Sequence, residues 1–392
     1  MRFTRLILTD FRSYASLTWH PQARISVLVG PNGTGKTNLL EAVSLLTPGR
    51  GLRGARMADL VRHGAPAGWA VAGRFVTDAG KTTDIGTGTA PPTPDSPNDP
   101  RPPNQHHTDR RVFRLDGTAP RSQAEIAAHV AVVWLTPQMD RLFQEALSGR
   151  RRFLDRLVWA LEPGHAREIA AHDSAMAQRN RLLAEGRPRD QHDAAWLAGL
   201  EDTMARHAVA ATAARATLVA RLNAVLASGA VAPFPIAELA LVCPIAARLE
   251  AAPALEVEDW LRAGLAASRA RDAAAGGAAL GAHRTDMVMR DAATGRPAAL
   301  ASTGEQKTLL VGVILGHAAL IAEARGTAPL LLLDEPAVHL DPDRRAALFT
   351  ALKHLPAQTL ITGTDSETFA PLGDAAERLR TGDGNLLLEG GI

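Results

Sequence analysis

The amino-acid sequence predicts an α/β fold interrupted by an inserted helical domain. Three observations predict it. A strand-like apolar run, a glycine loop and a helix-like apolar run follow one another from Ile25 to Leu46. Ala, Leu and Arg at helical spacing fill the middle of the chain, and a second apolar run, Leu330 to Leu333, ends in the paired acids Asp334 and Glu335. The expected boundaries are 1–122 and 276–392 for the two parts of the α/β domain and 123–275 for the insertion.

The first element is a short β-rich strand, Ile25 to Val29, preceded by "RLILTDF", an edge or pairing strand. Leu39, Leu40, Val43 and Leu46 then recur at the spacing of one helical face. Between strand and helix, Gly30 to Thr37 reads GPNGTGKT and fits G-x-x-x-x-G-K-[ST], a loop whose backbone N–H groups wrap a polyphosphate. Gly30, Gly33 and Gly35 allow the backbone angles and close approach that this wrapping needs, with Asn32 and Thr34 as the intervening loop positions. Lys36 would reach the β and γ phosphates, the Thr37 hydroxyl would ligate Mg²⁺, and the helix entered at Asn38 turns its positive end to the same site. Of the 43 Lys and Arg residues only Lys36, Lys81, Lys307 and Lys353 are lysine, so a chain biased to arginine keeps a compact ammonium in this loop.

From Thr77 to Arg111 the sequence is rich in Pro, Gly, Thr and Asp and nearly free of large apolar residues, and it reads as a flexible loop. His106 and His107 within it have no neighbouring ligands and read as solvated rather than metal-binding. Helical periodicity follows in "RRFLDRLVWALE", "AMAQRNRLLAE" and the run from Ala194, and breakers such as Pro163-Gly164 and Pro188 predict helices of a few turns. Trp159 and Trp196 read as core residues of this domain.

Past Gly276 the α/β pattern returns. Asp334, at the end of a buried strand, would hold Mg²⁺ through water, while Glu335 could polarise an attacking water as general base. Ser302 and Gly304 open a strongly apolar helix and form a second helix N-terminus, hence a second anion site that one nucleotide does not need.

Composition bounds the rest. The chain of 392 residues, 46% hydrophobic and 21% charged, suits two or three globular domains. A formal charge of +2 means that any nucleic-acid surface must be a local basic patch. Arg50, Arg53 and Arg56, with Arg62, form one such cluster, and Arg150, Arg151 and Arg152, with Arg156, another. Aromatic content of 4% argues against base stacking and for salt-sensitive contact with the duplex backbone. The lone Cys243 excludes an internal disulfide or a cysteine-built zinc site. No uninterrupted apolar run approaches a membrane span and no signal core opens the chain, so the expected setting is the cytoplasm, without a membrane partner.

The sequence "STGEQK" at Ser302 to Lys307 resembles the signature of ABC-type ATPases, in which a Ser-x-Gly-Glu/Gln segment of one subunit caps the γ-phosphate held by the loop of the other. That resemblance implies an ATPase head with a mixed sheet and flanking helices, Ser302, Gly304 and Glu305 acting across an ATP-dependent homodimer, and Asp341, after His339-Leu340, in a loop at the dimer axis. More narrowly, "LILTDFRSYASLTW", "GPNGTGKTNLLEAVSLL", "WLTPQMDRLF", "SGRRRFLDRLV", "QRNRLL", "GAHRTDM" and "LLLLDEPAVHLDPDRR" keep the order in which they occur in the RecF family of bacterial recombination-mediator ATPases. Membership would make Gln138 a sensor of Mg²⁺ and the γ-phosphate and place Arg12 near the phosphates. It implies binding of duplex DNA and of single-strand/duplex junctions at the nucleoid, slow DNA-stimulated hydrolysis, and work with RecO and RecR in loading RecA. The chain departs from that family in Gly281 to Asp286 (GAHRTD), in Pro336, and in Thr364 where many ABC ATPases place a histidine.

Four other readings compete. A transporter's nucleotide-binding subunit keeps its signature much nearer the phosphate loop than Ser302 is to Lys36. A long-armed chromosome ATPase needs hundreds of residues of heptads that this chain lacks. A DNA-binding scaffold in which nucleotide governs assembly and hydrolysis is incidental stays open, as does another soluble ABC-type ATPase.

Overall fold

The computed structural model describes residues 2–65, 68–77, 80–90, 111–382 and 384–389, so most of the loop expected over 77–111, including His106 and His107, lies outside the described residues. The chain divides into two compact units, one made of 1–140, 231–234 and 310–392 and the other of 141–230 and 235–309.

The first unit opens with β1 (Arg2–Phe11), β2 (Tyr14–Trp19), β3 (Ile25–Val29) and α1 (Lys36–Ser44). Next come β4 (Ala70–Val76), β5 (Thr82–Thr89), β6 (Arg111–Leu115), α2 (Gln123–His129) and β7 (Val132–Leu135). An antiparallel sheet runs β2-β1-β4-β5-β6, so β1 lies inside the sheet rather than at its edge. Phe3, Leu6 and Leu8 of β1 are buried, and a bulge between Phe3 and Arg5 explains why the first two stand three apart rather than two.

β5 corrects the loop expected from residue 77: Thr82–Thr89 is a strand whose Thr83, Ile85 and Thr87 face inward. Threonine is β-branched and fits a pleated, half-buried surface as readily as a turn.

The second unit holds α3 (Leu147–Leu161), α4 (His165–Ala184), α5 (Gln191–Ala227), β8 (Ala237–Val242), α6 (Pro244–Leu249), α7 (Ala254–Ala267), α8 (Arg269–Ala275) and β9 (Asp286–Asp291). Its core gathers Leu197, Leu200 and Met204 of α5 with Val257, Leu261 and Leu265 of α7. The expected short helices are corrected by α5, 37 residues without a break, because no Gly-Pro or Pro-Gly breaker falls inside it. Trp196 is also a correction, 46% exposed on α5 rather than in the core. Arg179 is fully buried between Glu201 and Asp272. Arg215 is buried likewise, forked onto Asp155 and donating to the Ala282 carbonyl and Thr285, which ties down the GAHRTD segment.

α9 (Thr303–Arg325) leads back to the first unit, followed by β10 (Leu330–Leu333), α10 (Pro342–His354), β11 (Gln358–Gly363), β12 (Ala376–Gly382) and β13 (Asn385–Leu388). The second sheet is mixed, in the order β13-β12-β3-β11-β10-β7, with β13 antiparallel to β12. Its central strands β3, β10 and β11 are buried along their whole length, as expected of parallel strands covered on both faces.

β7 pairs in parallel with β10, so residues 123–140, expected in the helical domain, belong with the first unit, and residues 276–309 belong with the second. The β-rich "VVWL" of β7 outweighs its Ala- and His-bearing flank. Among the described residues two helices, α5 and α9, are long and apolar enough to span a membrane by length and composition, although 78% of the α9 window is buried inside the protein.

Candidate phosphate-loop site

β3 delivers the chain into Gly30, and α1 leaves from Gly35, so the glycine loop lies at the carboxyl end of a central strand. Gly30, Gly33 and Gly35 have φ of 151°, 88° and 101°, angles that disfavour any side chain. Gly35 is constrained twice, since a Cβ there would stand 2.7 Å from Ser13 Oγ and 2.9 Å from Tyr14 Oη. Tyr14 Oη donates to the Gly35 carbonyl, and Asn38 Nδ2 donates to Ser13 Oγ. The turn between β1 and β2 therefore braces one side of the loop. On the other side Thr34 Oγ1 meets Thr381 Oγ1 of β12 at 2.6 Å, which turns Thr34 toward the sheet.

Lys36 is 5% exposed and donates to the Gly30 and Pro31 carbonyls at 2.7 and 2.8 Å. Burial pushes its ammonium below lysine's usual range, while the charges of Glu335 and Asp334 act the other way. Asp334 directly follows β10, and its Oδ1 accepts hydrogen bonds from Thr37 Oγ1 at 2.9 Å and Thr362 Oγ1 at 2.7 Å. The structure thus joins the phosphate loop to the acidic strand end.

Glu335 follows with φ 49°, its backbone N–H donated to Thr362 Oγ1. It lines a cavity of about 230 Å³ with Asn32, Gly33, Lys36, Thr37, Asn38 and Arg53. A second cavity of about 130 Å³ adjoins Glu335 and holds Thr364 in its wall.

The donor set fits Mg²⁺ only together with a nucleotide. Among the described residues no three His, Cys, Asp or Glu side chains cluster as a metal cage. Thr37 gives its proton to Asp334, which leaves its oxygen lone pairs for a cation. Mg²⁺ characteristically takes one or two protein oxygens and completes its shell with phosphates and water.

Several expected residues stand elsewhere. Arg12 forks onto Glu41 at 2.9 Å through both Nε and Nη2 and donates from Nη1 to the Asp59 carbonyl, and it is not among the residues lining the loop cavity. Glu41 is fully buried one turn after Thr37 and needs that partner. Arg53, expected on a DNA surface, lines the loop cavity instead, with Nη1 on Asn38 Oδ1 at 2.9 Å. The buried acid in "LLEAV" is the one signal in the sequence that Arg12 was already engaged.

Gln138 is exposed on the 3₁₀ turn after β7. Leu135 of that strand pairs with Leu333, and the Asp334 N–H donates to the Leu135 carbonyl, so the turn leaves beside the acidic strand end.

In the second unit Ser302 caps α9. Glu305 N–H donates to Ser302 Oγ at 3.3 Å, and Ser302 N–H donates to Glu305 Oε2 at 2.7 Å, a reciprocal capping box. Gly304 contributes its carbonyl to Thr308 Oγ1, and Glu305 also lies 3.5 Å from Arg296. In the first unit Asp341 caps α10 by accepting from Arg344 N–H.

The arginine clusters are not uniform. Arg150 forks onto Asp286, Arg62 donates from Nε to Asp10 Oδ1, and Arg156 is half-buried over the Phe153 ring. Arg151 is half-buried, beside a cavity of about 700 Å³ shared with Ser148, Asn180 and Arg284. Arg50 and Arg152 are exposed, and Arg56 is exposed in a 3.2 Å pair with Asp59.

A family model described as "RecF/RecN/SMC N terminal domain" matches residues 2–381. "DNA replication and repair protein RecF" of Allorhizobium ampelinum is 45% identical over 386 residues, covering 98% of each chain. The protein of the same name from Mesorhizobium japonicum is 44% identical, covering 98% of this chain and 97% of its own. Among solved structures, one described as the recombination mediator protein RecF with ATPrS in the RecFOR pathway superposes with a TM-score of 0.82 at 21% identity, covering 99% of this chain and 98% of its own. An SMC head bound to a winged-helix domain of ScpA follows with a TM-score of 0.55 at 14% identity, covering 99% of this chain and 97% of its own, a likeness of fold.

Proposed function

This chain belongs to the RecF family, within the RecF/RecN/SMC N-terminal domain family, and on that premise we propose that it is an ATPase whose ATP-bound dimer closes on duplex DNA. The setting is DNA replication and repair in the RecFOR pathway, and the cofactor is ATP. The observation that carries the mechanism is the bond from Thr37 to Asp334, with Glu335 lining the same cavity.

Lys36 leaves its two carbonyl partners for the β and γ oxygens, and Arg53 adds charge at the cavity wall. Thr37, Asp334 and Gln138 would hold Mg²⁺, which would supply charge neutralisation at the phosphates. Glu335 takes the proton of the attacking water. Ser302, Gly304 and Glu305 of one copy cap the γ-phosphate on the other, and Asp341 lies at the axis.

Arg50, Arg56 and Arg152 are the arginines left to meet a duplex backbone, with junctions at single-strand gaps as its preferred form. RecO and RecR join it there to load RecA, with slow hydrolysis driving release, in the cytoplasm at the nucleoid. Thr364 beside Glu335 favours a second reading, a nucleotide-regulated scaffold that does not depend on turnover.

The test is the solution mass of Glu335→Gln with and without ATP and Mg²⁺, each with and without a short duplex. A mass that doubles only with ATP and then retains duplex supports the clamp. A mass that stays monomeric reduces Ser302 to Glu305 to a helix cap and removes the shared site.

A further inference from the structure

Thr362 is fully buried near the end of β11. The parallel register pairs Leu333 with Ile361, which brings the next residue of each strand, Asp334 and Thr362, side by side. Thr362 Oγ1 lies 2.7 Å from Asp334 Oδ1 and 2.9 Å from the backbone nitrogen of Glu335. A hydroxyl has one proton, and a backbone N–H can only donate, so the roles are fixed: Thr362 accepts from Glu335 and donates to Asp334.

We propose that Thr362 is the positioning residue of this site, its single hydroxyl setting both the rotamer of Asp334 and the backbone of Glu335. The proposal rests on the reading of this site as one for Mg²⁺ and ATP. Thr37 and Thr362 both donate to Oδ1, which leaves Oδ2 as the carboxylate oxygen for a water of the cation. Glu335 is held at φ 49°, a left-handed angle that a glutamate adopts only where its surroundings impose it. That turn sends two consecutive carboxylates to different tasks, one beside the Thr37 oxygen and the other along the wall of the loop cavity. Without the hydroxyl, Asp334 loses a donor, and the Glu335 N–H loses its acceptor inside the protein. Thr362 acts through the two acids it bonds.

The experiment compares wild type, Thr362→Val and Thr362→Ser in three measurements. These are affinity for ADP without metal, Mn²⁺ affinity of the ADP complex by electron paramagnetic resonance, and steady-state ATP turnover. Valine keeps the shape and removes the hydroxyl, while serine keeps the hydroxyl. The expected result for Thr362→Val is unchanged metal-free ADP affinity, Mn²⁺ affinity weaker by about tenfold or more, and kcat lower by a similar factor with KM little changed. Thr362→Ser should recover most of both losses.

A valine variant that matches wild type in Mn²⁺ affinity and kcat overturns the proposal, as does a serine variant that recovers nothing. Loss of metal-free ADP binding in the valine variant also overturns it, because Thr362 would then be a prop of the loop as a whole. If wild type binds Mn²⁺ with ADP yet hydrolyses no ATP, the hydrolysis reading falls and the Mn²⁺ comparison still decides on Thr362.

Discussion

Replacing Ser302 by alanine separates two roles that a single hydroxyl could play. In the chain as described, Ser302 Oγ accepts one N–H at 3.3 Å, a long bond, while the shorter 2.7 Å bond of the capping box comes from the Ser302 backbone and survives the substitution. The loss of helix stability should therefore sit at the low end of the range for a removed cap, about 0.5–1 kcal/mol. In a dimer with two symmetric sites the same hydroxyl is lost twice. A hydrogen bond to a charged phosphate contributes about 1.5–3 kcal/mol, so the dimer should weaken by about 3–6 kcal/mol. That is a dissociation constant raised by roughly 10²–10⁴. The assay is sedimentation velocity over a protein concentration series with ATP and Mg²⁺, in a Glu335→Gln background so that nucleotide persists. Ser302→Asn keeps the cap, since Asn caps as well as Ser, and controls for stability. A dimer constant within tenfold of the parent in Ser302→Ala would refute the shared-site reasoning.

Lys36→Ala should abolish ATP binding and ATP-induced dimerisation together, measured by titration calorimetry and solution mass; retention of either contradicts the shared site. Gly35→Ala should cost about 2–3 kcal/mol and most of the ATP affinity, because φ 101° and the contacts at 2.7 and 2.9 Å both oppose a Cβ. Gly33→Ala, with open space around its Cβ, should cost only the left-handed penalty, about 1–2 kcal/mol, and equal urea midpoints for the two would exclude the Ser13–Tyr14 brace. Burial, with lesser contributions from His172, Arg284 and Arg151 against the Ala278 carbonyl bond, pushes His283 from 6.5 down to about 4. A histidine depressed in the folded state contributes stability that is complete above pH 6.5 and is lost as pH falls towards 4, at most about 1.4 kcal/mol per pH unit. His283→Gln should flatten that stretch of the urea-midpoint profile, and an unchanged slope assigns the acid loss elsewhere. Duplex affinity of the ATP-bound protein should fall linearly on a log–log salt plot, and Arg152→Ala should reduce the slope by about one; an unaltered slope removes Arg152 from the interface.

What the sequence made legible was chemistry held in a short stretch of chain. The glycine loop, Lys36 and the acids at 334 and 335 needed only local pattern and came together as expected. Positions set by a distant partner were not legible. Arg12 and Arg53 both approach the buried Glu41, at 2.9 and 3.6 Å, and which of them lines the cavity depends on folded packing that local pattern does not carry. Thr362 was hidden for the same reason, since its role depends on the register of β11 against β10. β5 was missed because a strand made of Thr, Ile and Gly carries little apolar mass, and its inward Thr83 and Thr87 read as turn formers. β7 reads as part of the helical insertion because four residues are short beside the helix-forming sequence around them, although "VVWL" is strand-like in isolation.

Tyr14 is the chain's one tyrosine, fully buried, with its hydroxyl donated to the carbonyl of Gly35 in the phosphate loop. Growth on 3-fluorotyrosine would therefore install a single ¹⁹F nucleus on the side chain that bonds the phosphate loop, without altering the coding sequence. Its one resonance should shift when ATP or ADP enters the loop and stay put when only DNA is added. Each ligand could then be followed in a mixture of nucleotide, DNA and other proteins, where the fluorescence of the six tryptophans would report everything at once.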